Sequence, residues 1–284
     1  MLGAAVAALL VVGVVVVALR ARESPGDVVA ETARNLRYLR SGELSMRARA
    51  APRGTALDRG VGFSLTGPFA LAEPGRLPMA EVTLTRSAGA NRASADFVST
   101  GGRAYVRVAG TAYALGAARE RALRGSASSP GPGRGLDTLD IESWVRDPHL
   151  EDGPTVGGTK TDRITSKVDV ARVADGLLSL TRPGARALTP RDADQLERAT
   201  RSARLELLAG AEDRLLRRLT VDLELSADVP PPVRTALGPL GGARFALGLE
   251  VKDPNRAVRV RAPLGARPAA ELPGGAGPAL SAAR

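Results

Sequence analysis

From Glu43 onward the hydrophobic pattern of this chain has a period of two. Leu44, Met46, Ala48 and Ala50 alternate with Ser45, Arg47 and Arg49, the signature of a strand with one buried face. Similar runs follow at 61–65, 82–85, 92–99, 103–108 and 112–115, and again at 159–168, 203–207, 219–225, 245–251 and 258–260. They are punctuated by turn residues such as Gly67-Pro68, Thr100-Gly101-Gly102, Ala109-Gly110-Thr111 and Asp253-Pro254-Asn255. About eleven strands are expected. Because they do not alternate singly with helices, a doubly wound nucleotide-binding sheet is disfavoured, and a mainly β (α+β) chain with one large, curved antiparallel sheet is expected.

The helical segments are few and carry their own start signals. Ser24-Pro25-Gly26-Asp27 combines an N-cap serine with proline at the first helical position, and predicts a helix towards Arg40. A short helical stretch is expected at 117–124, followed by a flexible loop near 125–135 rich in Gly, Ser and Pro. Asp169 opens a helix bearing Val170, Val173, Leu177 and Leu178, and Thr189-Pro190-Arg191-Asp192 opens another towards Ala199. Residues 263–284 are rich in Pro, Gly and Ala without periodicity and read as a disordered tail, so the β domain is expected to span 23–262.

Ahead of that domain, the 18 residues from Leu2 through Leu19 carry no charged or strongly polar side chain, and Arg20 and Arg22 follow at once. As a helix such a run extends about 27 Å, close to the thickness of a bilayer's hydrocarbon core. It is longer than the apolar core of a signal peptide and lacks small residues at a cleavage site, so residues 1–22 are expected to form a transmembrane anchor. Arg20 and Arg22 lie on the body's side of the span, and the positive-inside rule by itself would put the body in the cytoplasm.

Composition narrows the chemistry. Aromatic residues make up 3% of the 284, cysteine is absent, and His149 is the only histidine. Thiol nucleophiles, thiolate metal sites, histidine metal clusters and base-stacking platforms are therefore excluded or scarce, and no metal or cofactor is expected. The net charge of +10 comes mostly from arginine, with lysine only at 160, 167 and 252. That bias fits a GC-rich coding composition, or attraction to an anionic surface such as phospholipid head groups. No basic run is dense enough for nucleic acid.

Gly153 to Lys160 is the nearest approach to a phosphate loop, but Thr precedes Lys and a strand follows, so it reads as a turn. His149, in Asp147-Pro148-His149-Leu150, reads as a turn histidine with no nucleophile motif nearby. Asp137, Asp140, Glu142, Glu151 and Asp152 read as solvated acids rather than a paired-carboxylate site. Trp144, the only tryptophan, reads as a packing residue or as a lining of a cavity mouth. The chain is not expected to be an enzyme.

The order of these features is similar to that of a known group. An N-terminal tether and a capped helix are followed by Leu44-Ser45-Met46-Arg47 and by the hairpin of Gly102-Arg103-Ala104-Tyr105 with Gly110-Thr111-Ala112-Tyr113. Later come Ser143-Trp144, Gly158-Thr159-Lys160-Thr161 and Arg217-Arg218-Leu219-Thr220-Val221. Over roughly residues 27–262 this resembles the actinobacterial LppX/LprG lipoproteins, relatives of the LolA and LolB carriers. The resemblance implies a half-open antiparallel β-barrel covered by a few helices, lying outside the cytoplasmic membrane and holding acyl chains of a lipid or glycolipid in an apolar hollow. The lipobox cysteine of that group is missing, and the helix between Leu2 and Leu19 would take the place of the lipid tether.

Shielding an acyl chain has a large energetic basis. At about 0.8 kcal/mol per methylene, exposing a 16-carbon chain to water costs on the order of 12 kcal/mol. The candidate lining residues, chosen because they fall on apolar faces of predicted strands, are Phe63, Leu65, Leu84, Phe97, Val106, Leu205, Leu223, Phe245 and Leu247, with Trp144 beside them. The expectation is an envelope-exposed, single-pass membrane protein that binds or transfers lipid. The alternative is an anchored structural or protein-interaction module whose hollow is filled by its own helices.

Overall fold

The computed structural model describes residues 23–52, 54–72, 76–128, 140–181, 188–226, 228–231 and 242–272, without the side chains of 125–128 and 177–181. The anchor expected over 1–22 lies outside the described residues, as do most of the expected loop and tail. Among the described residues no helix is long and apolar enough to cross a membrane.

Among the described residues twelve strands form one sheet. They are β1 (Ser41–Pro52), β2 (Val61–Ala70), β3 (Met79–Ala88), β4 (Asn91–Thr100), β5 (Ala104–Val108) and β6 (Thr111–Ala114), then β7 (Val145–Asp152), β8 (Thr161–Val168), β9 (Thr200–Gly210), β10 (Leu216–Leu225), β11 (Ala243–Lys252) and β12 (Arg267–Pro268). Their order is β12-β6-β5-β4-β3-β2-β1-β11-β10-β9-β8-β7, and every neighbouring pair is antiparallel except β12 with β6. The sheet is open, with β7 and β12 at its edges. Pairing β1 with β11 brings the two strand groups together across a sequence separation that no local turn signal encodes.

Among the described residues five α-helices accompany the sheet: α1 (Pro25–Asn35), α2 (Ala117–Ser128), α3 (Ile141–Trp144), α4 (Val170–Thr181) and α5 (Pro190–Ala199). The starts of α1, α3, α4 and α5 are capped by side chains. Ser24 Oγ accepts from the Asp27 amide at 3.1 Å, Asp169 Oδ1 from Arg172 at 3.1 Å, and Thr189 Oγ1 from Asp192 at 3.2 Å. Past Asn35 the predicted first helix tightens into a 3-10 turn over Leu36–Tyr38. Helix α2 continues to Ser128, beyond the expected end at Arg124 and into the expected loop.

Three expectations change. His149 is not in a turn: it lies in β7 opposite Thr165, and a bulge between Arg146 and His149, with Asp147 at φ 51°, supplies the turn-like sequence within a strand. Val258 and Val260 keep an alternating half-buried pattern but join no strand, since β11 already pairs with β1 and β10. The tail expected to be disordered from 263 is seated along β6 at Arg267–Pro268, where Arg267 pairs with Tyr113, and a 3-10 turn follows over Ala269–Glu271. Residues 273–284 lie outside the described residues.

The main apolar cluster sits where α1, α3, α4 and α5 lie on β8 to β11. Val28, Val29, Trp144, Val173 and Leu196 meet Ile164, Leu205, Leu207, Leu219, Val221 and Leu249 there. A smaller cluster at the far side joins Leu77, Ala104, Val106 and Leu115, with Leu123 of α2 packed against it.

Candidate functional site

The strand register puts all nine candidate strand residues on one face of the sheet. Phe63 lies opposite Ala48 and Arg86, and Leu65 opposite Met46 and Leu84. Ala48 in turn faces Leu247, and Ala50 faces Phe245. On β10, Val221 pairs with both Leu247 and Leu205, and Leu223 with Phe245. At the other side Val82 pairs with Phe97, and Phe97 with Val106. Cross-strand partners share a face, so one apolar surface runs without interruption from β5 to β9.

The opposite face carries most of the sheet's charged and polar side chains, with Val98, Tyr105 and Leu208 buried on it. Asp96 accepts from Thr83 Oγ1 at 2.8 Å and from Arg107 at 3.1 Å, across three neighbouring strands. Arg218 and Lys252 both reach Glu250, at 2.6 and 3.4 Å. Burial would raise the Glu250 carboxyl, but the hydrogen bond and charge of Arg218, followed by those of Lys252, hold it below its ordinary value.

On the apolar face the nine residues have three different environments. Leu205 is 2% exposed within the main cluster, against which Leu223, Phe245 and Leu247 pack half-buried. Val106 is 1% exposed in the small cluster, with Phe97 half-buried beside it. Phe63, Leu65 and Leu84 are half-buried and belong to neither cluster among the described residues. The strip on β2 and β3 between the two clusters is the candidate site. Phe69, half-buried and opposite Gly42 and Ala80, continues it towards the end of β2. Sequence alternation did not single out Phe69, because the Gly67-Pro68 pair interrupts the run before it.

Trp144 has a packing role. It is 1% exposed, part of the main cluster and close to Gly176 of α4, so it does not line an open mouth. Val173, 0% exposed, packs in the same region, as the filled-core alternative would have it; the side chains of Leu177 and Leu178, which would fill the hollow with it under that alternative, lie outside the described residues.

Two of the acids considered in the sequence have structural duties. Asp140 caps α3, accepting from the Ser143 amide at 3.4 Å, and Glu151 pairs with Arg163 at 3.2 Å. Asp137 lies outside the described residues. Among the described residues no cluster of three His, Asp or Glu side chains could hold a metal.

A cleft of about 390 Å³ lies away from the apolar strip, between α4 and α5, lined by Arg146, Asp169, Asp175, Asp194, Glu197 and neighbours. Arg146 bridges it, donating to Asp169 at 2.8 Å and Glu197 at 2.9 Å. The Asp169 hydrogen bond and charge, with help from Glu197, raise the Arg146 guanidinium above its ordinary value. With charged groups around its mouth, this cleft is unsuited to an acyl chain.

No protein-family model and no curated protein matches the sequence. Among solved structures, the fold is similar to LprF from Mycobacterium bovis, at 13% identity and TM-score 0.47, over 85% of this chain and 97% of that one. It is also similar to the lipoprotein LppX from Mycobacterium tuberculosis, at 14% identity and TM-score 0.43, over 84% of this chain and 98% of that one. A LolA superfamily protein from Nitrosomonas europaea is 8% identical, at TM-score 0.20, over 81% of this chain and 94% of that one.

Proposed function

We propose that the chain is a membrane-anchored, non-enzymatic protein that binds, and passes on, the acyl chains of a lipid or glycolipid against the apolar face of a half-open barrel. The observation that carries this reading is the strip of Phe63, Leu65 and Leu84, an apolar surface between two packed clusters that, among the described residues, belongs to neither. Apolar side chains held half-buried beside a polar-backed sheet gain by covering themselves with hydrocarbon, and a flexible acyl chain fits a strip this narrow.

The test is capture in cells. The full chain is expressed in a lipid-containing host fed a clickable diazirine fatty acid, irradiated, and digested for peptide mapping. Crosslinks to peptides from 61–88 and 243–252 support the reading. Crosslinks confined to residues 1–22 overturn it.

A filled-core interaction module is the second reading, favoured by the helices that already cover β8 to β11. It predicts no acyl crosslink in the body.

We place the body outside the cytoplasmic membrane, with Leu2 to Leu19 as a retained single-pass tether. An apolar hollow for envelope lipid has its use on that side, whereas the two arginines after the run favour the other. Protease added to intact spheroplasts digests the body if this placement is right, and spares it until lysis if it is wrong.

A further inference from the structure

Glu23 stands four residues beyond Leu19, the end of the apolar run, and it is fixed to the sheet. Its carboxylate accepts from Nη2 of Arg214, whose Nη1 donates to Asp162. The Arg214 and Asp162 side chains are each 8% exposed. Nearby, Asn35 Nδ2 donates to the Asp213 carbonyl at 3.2 Å. These contacts gather at one end of the sheet, where β1, β3, β8 and β10 begin and β2, β9 and β11 end.

Four extended residues span at most about 14 Å. The head-group layer on each side of a bilayer is roughly 5–8 Å thick. A tether this short holds that end of the sheet, and no other, against the membrane surface.

The surface at that end has matching chemistry. Among the described residues five large apolar or aromatic side chains are exposed, and three of them, Tyr38 (52%), Leu71 (38%) and Met79 (37%), are at this end. The Leu71 amide donates to the Arg40 carbonyl at 2.8 Å, and Met79 pairs with Ala70. Arg37, Arg40 and Arg76 are exposed among them, with the Arg37 guanidinium 4.7 Å from the centre of the Tyr38 ring. Tyrosine and aliphatic side chains interspersed with arginine suit the interface of an anionic bilayer, where rings and apolar tips enter the head-group layer and guanidinium groups meet phosphate.

We propose that the rim of Tyr38, Leu71 and Met79, with Arg37, Arg40 and Arg76, docks on an anionic phospholipid surface. The apolar strip then stands upright with Phe69 nearest the bilayer and Phe63 farthest, and an acyl chain leaving the membrane meets Phe69 first. This rests on the tether assigned under the proposed function.

The absence of cysteine makes the test direct. Full-length Met79→Cys and Asn91→Cys variants, the second at the opposite end of the sheet, carry a nitroxide label and are reconstituted into vesicles containing phosphatidylglycerol. Collision with oxygen and with an aqueous nickel chelate then reports the depth of each label. The expected result is a lipid-exposed label at 79 and a water-exposed label at 91, with the lipid exposure at 79 lost in an Arg40→Glu/Arg76→Glu background of unchanged circular dichroism. Both labels in water, or the reverse order, in protein that still floats with the vesicles overturns the docking and leaves the tether standing. Failure to float overturns both.

Discussion

A β-carbon placed on Gly176 would stand 2.8 Å from Cζ2 of Trp144. Helix α4 therefore approaches the indole as closely as it does because residue 176 has no side chain. The same tryptophan fixes where α4 starts, since its carbonyl accepts from the Asp169 amide at 2.9 Å. Glycine inside a helix costs about 1 kcal/mol relative to alanine, and here that cost accompanies a tightly seated ring.

Gly176→Ala tests this packing by its sign. Overpacking costs roughly 1–3 kcal/mol and alanine's helix propensity returns about 1, so a net loss of about 1 kcal/mol is expected in urea unfolding followed by circular dichroism. In a Trp144→Phe background, where the ring bearing Cζ2 is gone, the same substitution should become stabilising. A stabilising effect in the parent chain would mean that the indole is loosely held.

Glu120 holds α2 to the small cluster through its own buried carboxylate. That side chain is 5% exposed, accepts from the Ala104 amide at 3.0 Å and from Arg103 Nε at 3.3 Å, and lies 3.7 Å from Arg124. Glu120→Ala leaves a buried amide without its acceptor and is expected to cost about 1–3 kcal/mol. Glu120→Gln keeps an acceptor oxygen and should cost less. Amide hydrogen exchange at 104–108 checks both, with protection lost in the alanine variant and largely kept in the glutamine variant.

Strand alternation was the legible part of this fold. Leu44, Met46, Ala48 and Ala50 alternate because β1 has one polar and one apolar face, and the same logic placed all nine candidate strand residues on a common face. The edges were harder to read. β7 carries Pro148 and a bulge at Asp147, and an edge strand tolerates both because its outer side needs no partner, so its sequence reads as a turn. β12, two residues long, has no period to detect. The candidate site was only partly visible: alternation shows which face a residue takes, but not whether a helix lands on it. Leu205 and Leu65 have the same signature, yet Leu205 lies beneath the helices and Leu65 lies outside both described clusters.

The Glu250 cluster predicts an acid-sensitive contribution on the polar face. Its carboxyl, 21% exposed, is held below the ordinary value by Arg218 and Lys252 against the opposing effect of burial. A folded-state value below the unfolded one stabilises the fold above the unfolded value, and that stability is lost as pH falls through the folded value. Glu250→Gln should therefore lower the unfolding free energy near neutral pH, read from urea titration, by about 0.2–1 kcal/mol for a partly exposed pair. The difference from the parent should shrink as pH falls from about 6 to about 3. A constant difference across that window would show that the charge pairing contributes nothing.

The strip and the core should separate under mutation. Leu207 is 0% exposed beneath the helices, and Leu207→Ala is expected to cost about 2–5 kcal/mol through cavity formation. Leu65 and Leu84 face each other across β2 and β3 and are half-buried, so Leu65→Ser or Leu84→Ser should each cost about 1 kcal/mol. If acyl chains lie on the strip, the two serine substitutions together remove hydrocarbon contact worth roughly 1.5 kcal/mol or more, and crosslinking of the diazirine fatty acid to 61–88 falls about tenfold. The core variant, assayed where it is still folded, keeps its crosslinking. Equal loss in both, or an unchanged yield in the double serine variant, would mean that the strip holds no lipid and that Leu65 and Leu84 merely complete the packing of the sheet.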